Sequence, residues 1–101
     1  MDVLYALRGV TFTWNASKAA ANIRKHRVSF ESAAEAFFDP FLHAEAPRVV
    51  DSEARQAMFG LTPSWQLLYV AFALHDDSVR IISARPATRL ERQRYEDSSA
   101  P

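Results

Sequence analysis

The stretch WQLLYVAFALHDDSVRIISARPATRLERQRYE, from Trp65 to Glu96, reads as two strands, a tight turn and a capped helix in unbroken succession. Trp65 to Leu74 is almost wholly apolar, the pattern of a central strand covered on both faces. Asp76-Asp77-Ser78 is a compact turn. Val79, Ile81 and Ile82 are β-branched residues suited to a pleated surface, so Trp65 to Leu74 and Val79 to Arg85 are expected to form an antiparallel hairpin. Arg85-Pro86 stops the second strand, because a residue before proline is pushed out of the helical region. Helix restarts at Thr88, where Thr88 and Glu91 have the T-x-x-E spacing of a capping box. Five arginines lie between Arg80 and Glu96. A junction of this kind holds cations rigidly at a sheet edge, where a polyanion can be gripped.

Upstream of the hairpin the periodicity changes. Val10, Phe12 and Trp14 alternate with Thr11 and Thr13 as a half-buried strand does. Asn15 suits the N-cap of a helix over Ala16 to Arg27, which contains no proline or glycine, and Ser29 can cap a second. There Phe30, Ala33, Ala34, Phe37 and Phe38 recur at helical spacing until Asp39-Pro40 ends the pattern, and the phenylalanines are expected in the core. Phe41 to Ala44 and Arg48 to Val50 are weak strand candidates, and Arg55 to Leu61 is a better one. The order reads β-α-α-β-β-β-β-α. It predicts an α+β fold: a mostly antiparallel sheet of four to five strands, two N-terminal helices and one C-terminal helix.

The 101 residues are enough for one domain, read here as 1–101. With no cysteine there is neither a disulfide framework nor a thiolate metal site. The His/Asp/Glu pattern has no metal-ligand spacing, and no cofactor is expected. No signal peptide or membrane span is evident, so a cytoplasmic location is expected. Net charge is zero, but its distribution is uneven. Residues 1–30 are basic (+4), 31–77 acidic (−6) and 78–101 basic (+2). If the two ends meet in space they make a cationic face, while the acidic middle could receive a basic partner.

Two motifs carry a family resemblance. The first is F-x-W-[DN]-x-x-K-x-x-x-N-x-x-K-H, present as Phe12, Trp14, Asn15, Lys18, Asn22, Lys25 and His26, followed by V-S-F-E at Val28 to Glu31 and D-P at Asp39-Pro40. The second is R-I-I-S-A-R-x-A-T-x-x-E-R-x-x-Y-E from Arg80 to Glu96, and Arg55 and Gly60 fit an R-x-x-x-x-G between them. In these motifs the chain resembles the BrnT toxins, ribonuclease halves of bacterial type II toxin–antitoxin pairs. The likeness covers nearly the whole chain. Met1 to Gly9 precede it and read as a possible extension, and 97–101 as a flexible tail. Many relatives have Asp at the position of Asn15 and Gly at that of Arg27; the glycine would close the first helix in a left-handed conformation.

The resemblance implies a RelE-like fold and metal-independent cleavage of RNA that inhibits translation. It also implies neutralisation by a BrnA-like antitoxin, with DNA contacted only through that partner. Such cleavage needs a group to take the 2′-hydroxyl proton, one to stabilise phosphoryl charge and one to protonate the leaving oxygen. Histidine titrates nearest neutrality, which makes His26, beside Lys25, the first choice for proton transfer. Arg80 and Arg85 could clamp a phosphate bidentately. Five residues apart, they would face opposite sides of a regular strand, and Arg85 is favoured. Tyr95 is a further candidate, as acid or stacking group, against a simple packing role. Glu91 reads as a cap, and Trp14 as core. The candidate catalytic set is therefore Lys25, His26, Arg80, Arg85 and Tyr95. The alternative is a non-enzymatic toxin-fold module that docks a DNA-binding antitoxin through its acidic middle.

Overall fold

The alternating apolar residues at the start of the chain pair at once. In the computed structural model, which describes residues 1–99, β1 (Asp2–Leu7) runs antiparallel to β2 (Val10–Asn15). Residues 2–7, read from sequence as part of an extension, are thus an edge strand of the sheet. Two helices follow, α1 (Ala16–His26) and α2 (Phe30–Ala36), then the short β3 (His43–Ala44) and β4 (Arg48–Val50). Three nine-residue strands complete the sheet: β5 (Glu53–Leu61), β6 (Leu67–His75) and β7 (Ser78–Pro86). Helix α3 (Arg89–Ser99) closes the described chain.

The sheet order is β1-β2-β7-β6-β5-β3, with β4 also pairing β5. The α+β class and the antiparallel β6–β7 hairpin agree with the sequence reading. The strand count does not, since β1 and both weak candidates take part and the sheet has seven strands. One pairing is parallel: Thr11 to Thr13 of β2 lie against Ser78 to Arg80 of β7, which brings the two basic ends of the chain side by side. Asp97 to Ser99, part of the expected tail, continue α3, and 100–101 lie outside the described residues.

All three anticipated caps form. Asn15 Oδ1 accepts from the Lys18 amide at 3.0 Å, Ser29 Oγ from Ser32 at 3.1 Å, and Thr88 and Glu91 exchange bonds of 2.8 and 3.2 Å. Arg27 takes the left-handed C-cap conformation, φ 58°, and its amide bonds the Ile23 carbonyl. Trp65, expected in β6, instead lies in the Thr62–Gln66 turn at φ 66° with 81% exposure. The Thr62 backbone and hydroxyl capture the Trp65 and Gln66 amides before the ladder begins.

Each face of the sheet has its own cluster. Phe12, Trp14, Met58, Leu68, Val70, Phe72, Ile81 and Ala84 meet Phe30, Ala33 and Ala34 under α1 and α2. Gly60 permits the close approach there, since a Cβ would stand 2.4 Å from the Ala36 carbonyl oxygen. Phe37 and Phe38 sit half-buried at the margin of this core. On the opposite face Phe59, Leu67 and Tyr95 form a smaller cluster, with Leu61, Tyr69 and Ala87 beside it. β6 is therefore packed under the helices from Leu68 to Phe72 on one face, with Leu74 beyond them 59% exposed, and joins a cluster only at its Leu67 end on the other, not along both faces as its apolar run suggested.

Candidate active face and its relatives

A β-bulge decides which side chains share the uncovered face. Ala71 of β6 pairs with Ser83, but Phe72 pairs with Ile81, so Ile82 is an extra residue in β7. Arg80 lies opposite Ala73 and Arg85 opposite Tyr69, four positions apart on β6, and the two arginines therefore point to the same side. This corrects the expectation from their odd separation. The side they share is the one that α1 and α2 leave free.

Around them the face is built from small residues. Gln56 pairs with Phe72, so alternation places Arg55 on the free face one position further, in line with Ala73, Arg80 and Thr13. Ala57 and Ala71 lie between that row and the next, which runs His43, Phe59, Tyr69, Arg85. Its members stack: His43 on Phe59 at 5.7 Å, Phe59 against Tyr69 at 5.1 Å, and the Arg85 guanidinium 4.4 Å from the Tyr69 ring centroid. Arg55 Nε is buried without a hydrogen-bond partner.

Arg85 is held from α3. Its Nη1 and Nη2 donate to the two Glu91 oxygens at 2.7 and 2.9 Å, and Nη1 also reaches the Pro86 carbonyl. Nε retains no partner among the described residues and remains free to donate. The Arg85 hydrogen bond holds the Glu91 carboxyl at about 2, well below its ordinary value, against the opposing effect of burial. Glu91 is thus both cap and holder of the arginine. Arg80 is held from β1, its two Nη atoms 3.1 and 3.2 Å from the Asp2 carboxylate, with Thr13 Oγ1 at 3.5 Å.

The remaining candidates sit elsewhere. Lys25 is exposed and His26 half-buried in the last turn of α1, and neither side chain makes a hydrogen bond or ion pair among the described residues. His26 lies one turn beyond Asn22, on the helix face from which Asn22 grips the β7 backbone at Ala84. Tyr95 is buried under α3, and its hydroxyl donates to Asp39, which also accepts from the Phe41 and Leu61 amides. Burial, then the Asp39 carboxylate, pushes the phenol upward, away from acid chemistry at neutral pH. His75 and Arg55 on the free face were not among the sequence candidates. Strand alternation was the available signal for Arg55; for His75 there was none without the hairpin register. Among the described residues no group of three or more His, Cys, Asp or Glu could hold a metal, and no helix is long and apolar enough to cross a membrane.

Comparison with known proteins gives this geometry a family. The crystal structure of the Brucella abortus ribonuclease toxin BrnT, at 1.1 Å resolution, shares the fold with a TM-score of 0.54 and 20% identity, over 75% of this chain and 94% of that one. No curated protein matches the chain. The family model described as the ribonuclease toxin of type II toxin–antitoxin systems matches residues 14–91, which makes the chain a toxin of that class. It belongs to the BrnT toxin family. Such a toxin implies an antitoxin partner.

Proposed function

We propose that the chain is a metal-independent endoribonuclease of RelE-like fold that cleaves RNA through the 2′-hydroxyl in the cytoplasm and inhibits translation. Its partner is a BrnA-like antitoxin, which carries any contact with DNA. The observation that carries the reading is the convergence of Arg55, Arg80 and Arg85 on one face with a floor of Ala57, Ala71 and Ala73. Ala57 and Ala73 are themselves buried, so a polynucleotide meets the arginine side chains, through its phosphates, and not the sheet beneath them.

In this reading Arg85 binds the reacting phosphate through its partnerless Nε edge, already oriented by Glu91, and stabilises the charge that develops on it. Tyr69 stacks the guanidinium in place. His26, with Lys25 beside it at the end of α1, is assigned the proton transfer. Arg80 holds the RNA backbone, and Tyr95 is a positioning residue that anchors α3, and with it Glu91, rather than a proton donor.

Inducible expression of wild type and Arg85→Ala in a bacterial host, following growth and total RNA, tests this. Arrest with RNA cleavage in wild type alone is expected. Full toxicity of a well-folded Arg85→Ala protein would remove Arg85 from the site.

One observation favours the binding-module alternative: Arg80 and Arg85 each face a carboxylate, so both cations are largely neutralised within the chain. On that reading Arg85→Ala is silent, and charge reversal at Glu45, Asp51 or Glu53 weakens the antitoxin complex. Asp51 and Glu53 are the cleaner positions, because Glu45 also pairs with Arg94 and His43.

A further inference from the structure

The free face extends below Arg80 to the hairpin end of the sheet. A shallow hollow there is lined by Asp2, Leu4, Thr13, His75, Ser78 and Arg80. Besides Asp2, its polar members come from three strands in register: Thr13 beside Arg80 across the parallel pair, and Ser78 opposite His75 at the hairpin. Thr13 offers a hydroxyl, Ser78 a hydroxyl that turns from the His75 carbonyl, which it now meets at 3.2 Å, to donate to a phosphate, His75 an exposed imidazole and Arg80 a planar fork. The fork is already filled by an anion, since the Asp2 carboxylate meets both Nη atoms in the bidentate geometry that a phosphate also adopts. Asp2 is exposed and belongs to β1, outside the residues 14–91 that the family model matches.

We infer that Arg80, Thr13, Ser78 and His75 form a backbone-phosphate subsite for single-stranded RNA, which Asp2 occupies until a phosphate displaces it. This rests on the reading of the chain as an RNA-cleaving toxin. Arg80 and Arg85 are separated by four positions of β6, about 13 Å at the rise of a strand. The subsite therefore takes a phosphate other than the one at Arg85, and fixes the path of the strand across the face. Displacing Asp2 is easy, because an exposed ion pair is weak and screened by salt. The carboxylate then acts as a filter: a lone phosphate competes poorly with it, whereas a chain anchored at Arg85 presents its next phosphates at high local concentration.

The test is fluorescence anisotropy at low salt with a short single-stranded oligoribonucleotide carrying 2′-O-methyl sugars, which leave no 2′-hydroxyl to attack. Wild type, Asp2→Asn, Arg80→Ala, the double variant and His75→Ala are compared, and wild-type cleavage of unmodified RNA is followed in parallel. Asp2→Asn should bind roughly two- to fivefold tighter. Arg80→Ala should bind more weakly, with a salt slope reduced by about one, and His75→Ala more weakly too. In the Arg80→Ala background the Asp2→Asn gain should vanish. A gain of equal size in both backgrounds would reveal only a general field, and no gain at all would likewise overturn the subsite. If wild type still cleaves RNA in either case, the proposed function survives without the subsite. If no variant binds and wild type does not cleave, both fall together.

Discussion

Arg85 and Glu91 meet fork to fork, 2.7 and 2.9 Å between paired atoms, while Glu91 also closes the first turn of α3 on Thr88. One carboxylate thus ties the end of β7 to the start of the helix. Glu91→Gln keeps an acceptor for the Thr88 amide and removes the charge, and should cost about 1 kcal/mol at neutral pH. The Glu91 carboxyl is held at about 2 in the folded chain, below its ordinary 4.5. Its contribution is therefore complete above the ordinary value and is lost as pH falls from about 4.5 toward 2. Urea midpoints of wild type and variant should converge over that window. A gap unchanged across it would mean that the pair contributes nothing through its charge.

Asn22 acts as a short length of strand. Its amide donates to the Ala84 and Val28 carbonyls at 2.7 and 2.9 Å and accepts from the Ala84 amide at 3.2 Å, satisfying the β7 edge beyond the point where β2 pairs with it. Asn22→Ala leaves these buried groups without partners and should cost about 2–4 kcal/mol. Denaturant midpoints with an unchanged slope would measure it, and a loss under 1 kcal/mol would show that the backbone finds other partners.

Tyr95→Phe separates anchoring from acid catalysis. Without the hydroxyl, Asp39 keeps the Phe41 and Leu61 amides but loses its bond to α3. Stability should fall by about 1.5–3 kcal/mol, as for a hydrogen bond to a charged group. RNA cleavage below the melting range should stay within a few-fold of wild type. A hundredfold loss in a folded variant would restore Tyr95 to the chemistry.

Arg27 ends α1 in the left-handed region at φ 58°, where a side chain is strained and glycine is not. Arg27→Gly should stabilise the chain by about 0.5–1 kcal/mol, read as a rise in melting temperature. A fall would show that the arginine side chain has stabilising contacts that outweigh the backbone strain.

What the sequence made legible was local. Asn15, Ser29, Thr88 and Glu91 cap where their spacing says, because each bond spans three residues. The Asp76-Asp77 hairpin and the burial of Phe12, Trp14 and Phe30 follow from turn chemistry and periodicity. Partners far apart in the chain left no such mark: Asn22 with Ala84, Asp39 with Tyr95 and Asp2 with Arg80 are joined only by the fold. The strand period of two puts Arg80 and Arg85 on opposite faces, yet Ile82 inserts a residue that no local pattern announces. Of the candidate site, the two arginines meet on one face and Tyr95 faces the anchor of α3. Val3, Tyr5 and Leu7 alternate as a strand does, but they precede the family motifs, and nothing local in them names β2 as their partner.

The β2–β7 pair also sets the order in which the molecule can be completed. It joins Thr11–Thr13 to Ser78–Arg80, so a long loop must close before the two halves of the sheet become one. On a growing chain, β1, β2 and the two first helices emerge well before the strand that completes their core. Arg80, Arg85 and Glu91 all come later still than β5. The arginine face is therefore completed late, with only Arg55 in place before β7, and a chain interrupted before that strand carries neither of its two paired arginines.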